Sequence, residues 1–281
     1  MEVNLDLVVQ TQENQEMDMQ YGLDTLMGAS DSVGLIAETI LTKHLKKRTH
    51  ASKVRTRLKG SFKGSYGQKF SIRVEDKALV KRLEKIGRDT FVRAISYIIS
   101  DALYLNDEKA PPEDIQQLID ELDDNIDNDE NNNYTKLIEK LEDPLKRLHY
   151  MPTFFQSPVS FRYRKRGELP KELVKFNADT IENITESYTS DNDSIFECIV
   201  FRVHNRTGNG RVYIKETEEV VSFSLGSEVG AVRRKQIKKL SQNATDNAEL
   251  KTENGKTLQL SAKQIRLKSG KLVRLIVSGI V

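Results

Sequence analysis

Three stretches of the chain carry residue types at spacings that do chemistry in other settings. The first is Gly60-Ser61-Phe62-Lys63-Gly64-Ser65-Tyr66-Gly67, with Lys59 and Lys69 close by. Backbone N–H groups in such a turn can cradle a phosphate. The G-x-x-x-x-G-K-[ST] spacing is absent, however, and the flanks read as two strands rather than a strand and a helix. A plain hairpin turn is the competing reading. The second is Glu75-Asp76-Lys77, which has the E-x-K form seen in metal-dependent nucleases, where an upstream acid shares the cation. Residues 39–74 contain no acid, so Asp76 as a helix cap is the simpler assignment. The third is Cys198, the single cysteine, set in an apolar strand where it reads as a small hydrophobe rather than a nucleophile.

The remaining chemistry is defined by what is missing. His44, His50, His149 and His204 show no paired helical spacing, and one cysteine excludes both an internal disulfide and the multi-cysteine zinc patterns. Neither G-x-S-x-G nor G-x-G-x-x-G occurs. No catalytic residue, metal site or cofactor is assigned, and the balance leans away from an enzyme. Two aromatic groups carry a binding reading instead. Phe201, Tyr213 and Phe223 lie on successive expected strands; on a shared outer face they would stack bases, with Arg202 and Arg211 at the backbone. The alternative is that all three are core. Phe154, Phe155, Phe161 and Tyr163, interleaved with Arg162, Arg164, Lys165 and Arg166 and framed by Pro152 and Pro158, either bind nucleic acid or dock two domains.

Charge is arranged in blocks that the net value of +2 conceals. Residues 1–38 hold eight acids and no Lys or Arg, while residues 39–74 hold eleven bases and no acid. Residues 107–143 are acidic again, with fourteen acids against three lysines. Basic blocks return at 162–175 and at Arg233, Arg234, Lys235, Lys238 and Lys239. The candidate contact residues are Lys43, Lys46, Lys47, Arg48, Lys53, Arg55, Arg57, Lys59, Lys63 and Lys69, joined by Arg162, Arg164, Lys165 and Arg166. These blocks either neutralise phosphates, the main affinity term for nucleic acid, or complement the acidic blocks within the fold or across subunits. An ordinary solvated charged face is the third possibility.

Elements must position these residues. With 281 residues, 37% hydrophobic and 31% charged, the chain suits about two soluble domains. No apolar run suits a membrane helix, and no basic n-region opens a signal peptide. The expected compartment is the reducing cytoplasm, where the sequons at Asn183, Asn205 and Asn243 carry no meaning. Apolar periodicity predicts a strand over 3–9, a helix from Asp31 to about Lys47, strands at 53–59 and 66–74, and two helices over 76–105. This is an α+β domain over 1–105. An acidic helical linker follows over 106–150, with 123–133 its least structured part and Pro144 ending or kinking its last helix. Residues 151–281 read as mostly β: strands at 195–203, 212–214 and 220–225, a helix over 229–241, then strands at 247–252, 256–261 and 272–281. Three strands, a helix and further strands is the order of a small OB-type Greek-key barrel, with an SH3-like barrel as the alternative.

The first strand, the helix opening Gly28-Ala29-Ser30-Asp31-Ser32-Val33-Gly34 and Lys59-Gly60-Ser61-Phe62 resemble an uncharacterised bacterial domain of unknown function found in mobile-element and phage-defence contexts. The resemblance covers residues 1–105. It implies a binding or scaffold role in an antiviral complex and supplies no catalytic residue. The functional expectation is a cytoplasmic, non-enzymatic adaptor, an accessory subunit of a larger complex. Its basic surface would contact DNA, RNA or a protein partner. A metal-dependent nuclease or hydrolase, and a self-assembling homo-oligomer, are the alternatives.

Overall fold

A computed structural model describes residues 1–11, 16–45, 52–62, 66–106, 111–123, 133–165, 167–185, 187–205, 208–226, 231–248, 254–267 and 270–281. Two compact units emerge. The first comprises Met1–Leu105 and Pro111–Ile184, and the second Asn106–Ala110 and Thr185–Val281. Among the described residues no helix is long and apolar enough to cross a membrane.

The first unit opens with β1 (Glu2–Val9), α1 (Met19–Thr42), β2 (Val54–Phe62) and β3 (Tyr66–Val74). Then come α2 (Lys77–Ile86), α3 (Arg88–Ala102), α4 (Glu113–Asp123), α5 (Asn133–Leu148) and α6 (Tyr150–Phe155). It closes with β4 (Val159–Tyr163), β5 (Lys171–Phe176) and α7 (Ala178–Thr185). The strands form one antiparallel sheet in the order β2-β3-β1-β4-β5. Alternation sorts its two faces. Val3, Leu5, Leu7, Val9, Ile72, Phe161 and Phe176 point into the core with the helices. Glu2, Asn4 and Asp6 share the opposite face with Arg73, Ser71 and Lys69, their partners on β3.

Three expectations are corrected here. The first helix begins at Met19, twelve residues before the expected start. Asp18 caps it, accepting the Tyr21 N–H at 3.1 Å. Its early buried positions are Gly22, Thr25, Gly28 and Ala29, small residues that show no hydrophobic period yet let α1 lie against α5. The expected linker over 106–150 is core: Leu118 and Leu122 of α4 and Leu137, Leu141 and Leu145 of α5 are buried with the sheet residues. Pro144 sits inside α5, which continues to Leu148; residues 124–132 lie outside the described set. The barrel does not start at 151, because β4 pairs along the second edge of β1 (Val9 opposite Val159, Leu7 opposite Phe161) and β5 extends that pairing.

The second unit holds β6 (Tyr188–Thr189), β7 (Ser194–Val203), β8 (Gly210–Ile214), β9 (Glu219–Leu225), α8 (Ala231–Asn247), β10 (Leu258–Arg266) and β11 (Leu272–Ile280). Strands β7, β8 and β9 form a meander; β9 pairs parallel to β11, β11 antiparallel to β10, and β10 returns to β7. This closes a five-stranded barrel in OB order, as the spacing of three strands, a helix and further strands predicts. Phe196, Cys198, Val212, Phe223, Leu240 and Leu275 fill it. Of the strand expected over 247–252, Asn247 is the last residue of α8 and 249–252 lie outside the described residues.

Candidate nucleic-acid interface

Sheet register gathers bases from distant segments onto the polar face of the first unit. Arg55 and Arg57 of β2 lie opposite Arg73 and Ser71, while Lys69 of β3 and Arg162 of β4 flank Asp6 from either side. Much of this charge is matched within the chain. Lys59 Nζ is 2.8 Å from Glu2, whose carboxyl this hydrogen bond holds below the usual range. Arg57 and Arg73 share Glu75 at 3.3 and 2.9 Å. Arg164 grips Asp6 through Nε at 3.0 and 2.9 Å and Nη2 at 2.5 Å. Asp6 is buried, so the guanidinium supplies the countercharge that a carboxylate inside a sheet needs. That hydrogen bonding raises the arginine's own pKa.

The other candidates are dispersed. Lys43 pairs with Glu121 at 3.0 Å, a carboxylate it shares with Arg82. Lys53 meets Asp76 at 2.6 Å. Lys165 reaches Asp89 at 3.1 Å, on the α3 side. Lys46, Lys47, Arg48, Lys63 and Arg166 lie outside the described residues. The E-x-K carboxylates are engaged structurally. Asp76 caps α2 through the N–H groups of Ala78 and Leu79 at 2.9 and 3.1 Å, as its position predicts, and its hydrogen bond from Lys53 holds its pKa low. Among the described residues no group of His, Cys, Asp and Glu is arranged to hold a metal ion. The glycine-rich turn joins β2 to β3, two strands of one sheet.

The connector stretch separates into different environments. Phe161 is core. Phe154 and Phe155 instead pack on Tyr21 of α1, with ring centroids at 4.9 and 5.4 Å. The stretch therefore belongs to the first unit's own packing.

The barrel presents a different surface. On β8, Val212 and Ile214 point inward and Arg211 and Tyr213 outward. Phe201 of β7 lies at a register shift between Val200 and Arg202, a bulge of the sort that re-aims a side chain. It stacks on Tyr213 with centroids at 5.9 Å and planes at 14°, and keeps 45% of its surface exposed. Phe223, the third aromatic of the expected set, is core. Arg202 and Arg211 face each other across β7 and β8. Arg274 of β11 sits opposite Ser222 of β9, its Nε 3.4 Å from the hydroxyl. Asn243 of α8 braces the bulge: its Oδ1 accepts the Val200 N–H at 2.9 Å and its Nδ2 donates to the Lys256 carbonyl at 2.8 Å. Arg234, Lys235, Lys238 and Lys239 line the exposed side of α8, and among the described residues none has a carboxylate partner within 4 Å.

Arg274 and Asn243 have no sequence signal of their own. Their roles arise from strand register and from the seating of α8. Cys198 is buried in the barrel, which pushes its thiol up to about 12 and removes it as a nucleophile at neutral pH. No family model, curated protein or solved structure matches the chain.

Proposed function

We propose that the chain is a cytoplasmic, non-enzymatic binding subunit that holds single-stranded nucleic acid on the outer face of its barrel. The observation that carries this reading is the exposed Phe201–Tyr213 stack next to the cross-strand pair Arg202 and Arg211. An exposed aromatic face accepts any base, and flanking guanidinium groups neutralise the phosphates that run past it. OB barrels bind oligonucleotides on the face of their second and third strands, which here are β8 and β9. The cations of α8 raise the local potential, and the basic sheet face of the first unit supplies a second surface for polyanions. The engaged state of Glu75 and Asp76 favours binding over hydrolysis. Membership of an antiviral complex rests on the resemblance of residues 1–105 alone and assigns no further residue.

The test is fluorescence anisotropy with labelled single-stranded DNA, single-stranded RNA and duplex DNA across a salt series. Affinity for single strands is expected to fall steeply with salt. F201A combined with Y213A is expected to weaken it roughly tenfold or more, the worth of one stacked base. Replacing Arg55, Lys69 and Arg162 by alanine leaves the stack intact and is expected to have the smaller effect. Absence of binding at low salt overturns the proposal. Binding that ignores the aromatic pair and disappears with the sheet cations moves the interface to the first unit.

A further inference from the structure

We infer that the free edge of β2 receives an extended acidic peptide from a partner protein. The peptide would add a sixth strand to the first unit's sheet and set its apolar side chains in the groove beside that edge. β2 is the outermost strand and, among the described residues, pairs only with β3. Its outer row of N–H and C=O groups is therefore a template for another strand. Beside it, between α1 and the sheet, lies an open apolar groove of about 390 Å³. Leu26 and Phe70 form its floor, and Leu23, Met27 and Leu58 its walls. These wall residues are 47%, 53% and 66% exposed, an unusual amount of aliphatic surface to gather in one place.

The chemistry of the occupant follows from alternation along β2. Thr56 and Leu58 line the groove and Arg57 borders it, while in the sheet register Arg55 lies opposite Arg73 and Arg57 opposite Ser71 on the polar face. A strand laid on this edge puts every second side chain into the groove and the intervening ones beside Arg55, Arg57 and Lys59. The matching sequence alternates apolar and acidic residues, because opposite charges across neighbouring strands are favourable and like charges are not. β2 itself contains no acid. A second copy pairing β2 to β2 would set arginine against arginine, which disfavours self-association at this edge. The existing partners, Glu75 for Arg57 and Glu2 for Lys59, are exposed pairs that an incoming carboxylate exchanges at little cost. The register shift between Leu58 and Gly60 limits regular pairing to the stretch from Val54 to Leu58.

The experiment is fluorescence polarisation of the full chain with a labelled heptapeptide of alternating glutamate and valine. Three comparisons accompany it: the same peptide with lysine for glutamate, the same peptide N-methylated at alternate amides, and the variants L58E and M27E, checked for folding by circular dichroism. The acidic peptide is expected to bind. The lysine peptide is expected not to bind, and N-methylation or either variant weakens binding roughly tenfold. The N-methylated arm uses the wild-type chain and so stands even if a variant misfolds. No binding of the acidic peptide, equal binding of the lysine peptide, or indifference to N-methylation overturns the inference. Dimerisation weakened by L58E without peptide binding also overturns it and gives the groove to a second copy. This inference stands apart from the barrel interface: L58E and M27E are expected to leave nucleic-acid affinity unchanged, so the two readings fail separately.

Discussion

Lowering the pH from neutrality towards 4 is expected to loosen the first unit through one imidazole. His149, between α5 and α6, has no exposed surface. Its Nδ1 is 2.6 Å from the Leu145 carbonyl oxygen. A carbonyl can only accept, so Nδ1 carries the ring proton; Nε2 lies 2.8 Å from Thr180 Oγ1, a hydroxyl whose one proton is directed to the Asn177 carbonyl at 2.9 Å. The ring packs edge-on against Phe176, with centroids at 5.3 Å. Burial lowers the imidazole pKa from 6.5 to about 4, and the Leu145 hydrogen bond offsets this only in part. The folded form thus resists a proton that the unfolded chain accepts near 6.5. Stability is fully present above that value and falls as pH drops, until the folded form also protonates near 4. At about 1.4 kcal/mol per pH unit, the interval is worth about 3 kcal/mol. The assay is urea denaturation by far-ultraviolet circular dichroism at stepped pH, since the chain has no tryptophan. Hydrogen exchange read by mass spectrometry then localises the loss to α5 and α6. Carboxylates titrate in the same range, so the quantity compared is wild type minus H149Q. A difference that stays flat between neutrality and pH 4, or that grows more favourable to the wild type on acidification, refutes the reasoning.

Other perturbations follow from packing and pairing. A Cβ at Gly28 would lie 2.4 Å from the Leu148 nitrogen and 2.5 Å from the Pro144 carbonyl oxygen, both backbone atoms. G28A is therefore expected to force α1 away from α5 and cost about 3 kcal/mol in urea, outweighing the ~1 kcal/mol gain in helix propensity. R164A leaves the buried Asp6 carboxylate without its countercharge and is expected to cost about 3 kcal/mol. K59A, which breaks the exposed pair with Glu2, is expected to cost less than about 1 kcal/mol in the same assay. Cys198 is expected to resist iodoacetamide in the folded protein and to react on unfolding, followed by intact mass; rapid native alkylation would contradict its burial.

The parts of the fold legible in the sequence are those where burial is one-sided. Phe70, Ile72 and Val74 alternate because only one face of β3 meets the core, and 3.6-residue spacing on α2 and α3 marks one buried stripe. The barrel order was legible for a related reason: Gly and Asn punctuate its apolar stretches at Asn205, Gly208, Asn209, Gly226, Asn254 and Gly255. The start of α1 was not legible because its buried stripe is built from small residues that fit a neighbouring helix instead of filling a cavity. The domain boundary was hidden because Val159 and Phe161 have the same pattern whether they pair with β1 or open a new domain. Register chooses between these, and register is a tertiary property.

The charge blocks show why a candidate site was only half legible. A sequence displays which charges exist, but an antiparallel sheet decides which ones meet. β1 lies between β3 and β4, so acids from the first block and bases from two later blocks come to share one face. Glu2 and Asp6 then hold Lys59 and Arg164 within the same chain. Compensation thus takes up part of the charge that composition alone assigns to a partner. Bases pinned by a carboxylate contribute less to a salt-sensitive interface than Arg234, Lys235, Lys238 and Lys239 of α8, which have no such partner among the described residues. The aromatic residues obey the same logic. β7 runs apolar from Cys198 to Phe201 without alternation, so no periodicity reveals which ring is outside. The bulge at Phe201 and the partner ring of Tyr213 decide it. A surface meant for bases is therefore recognised here by an unburied stack at a broken register, a feature that exists only once the strands are paired.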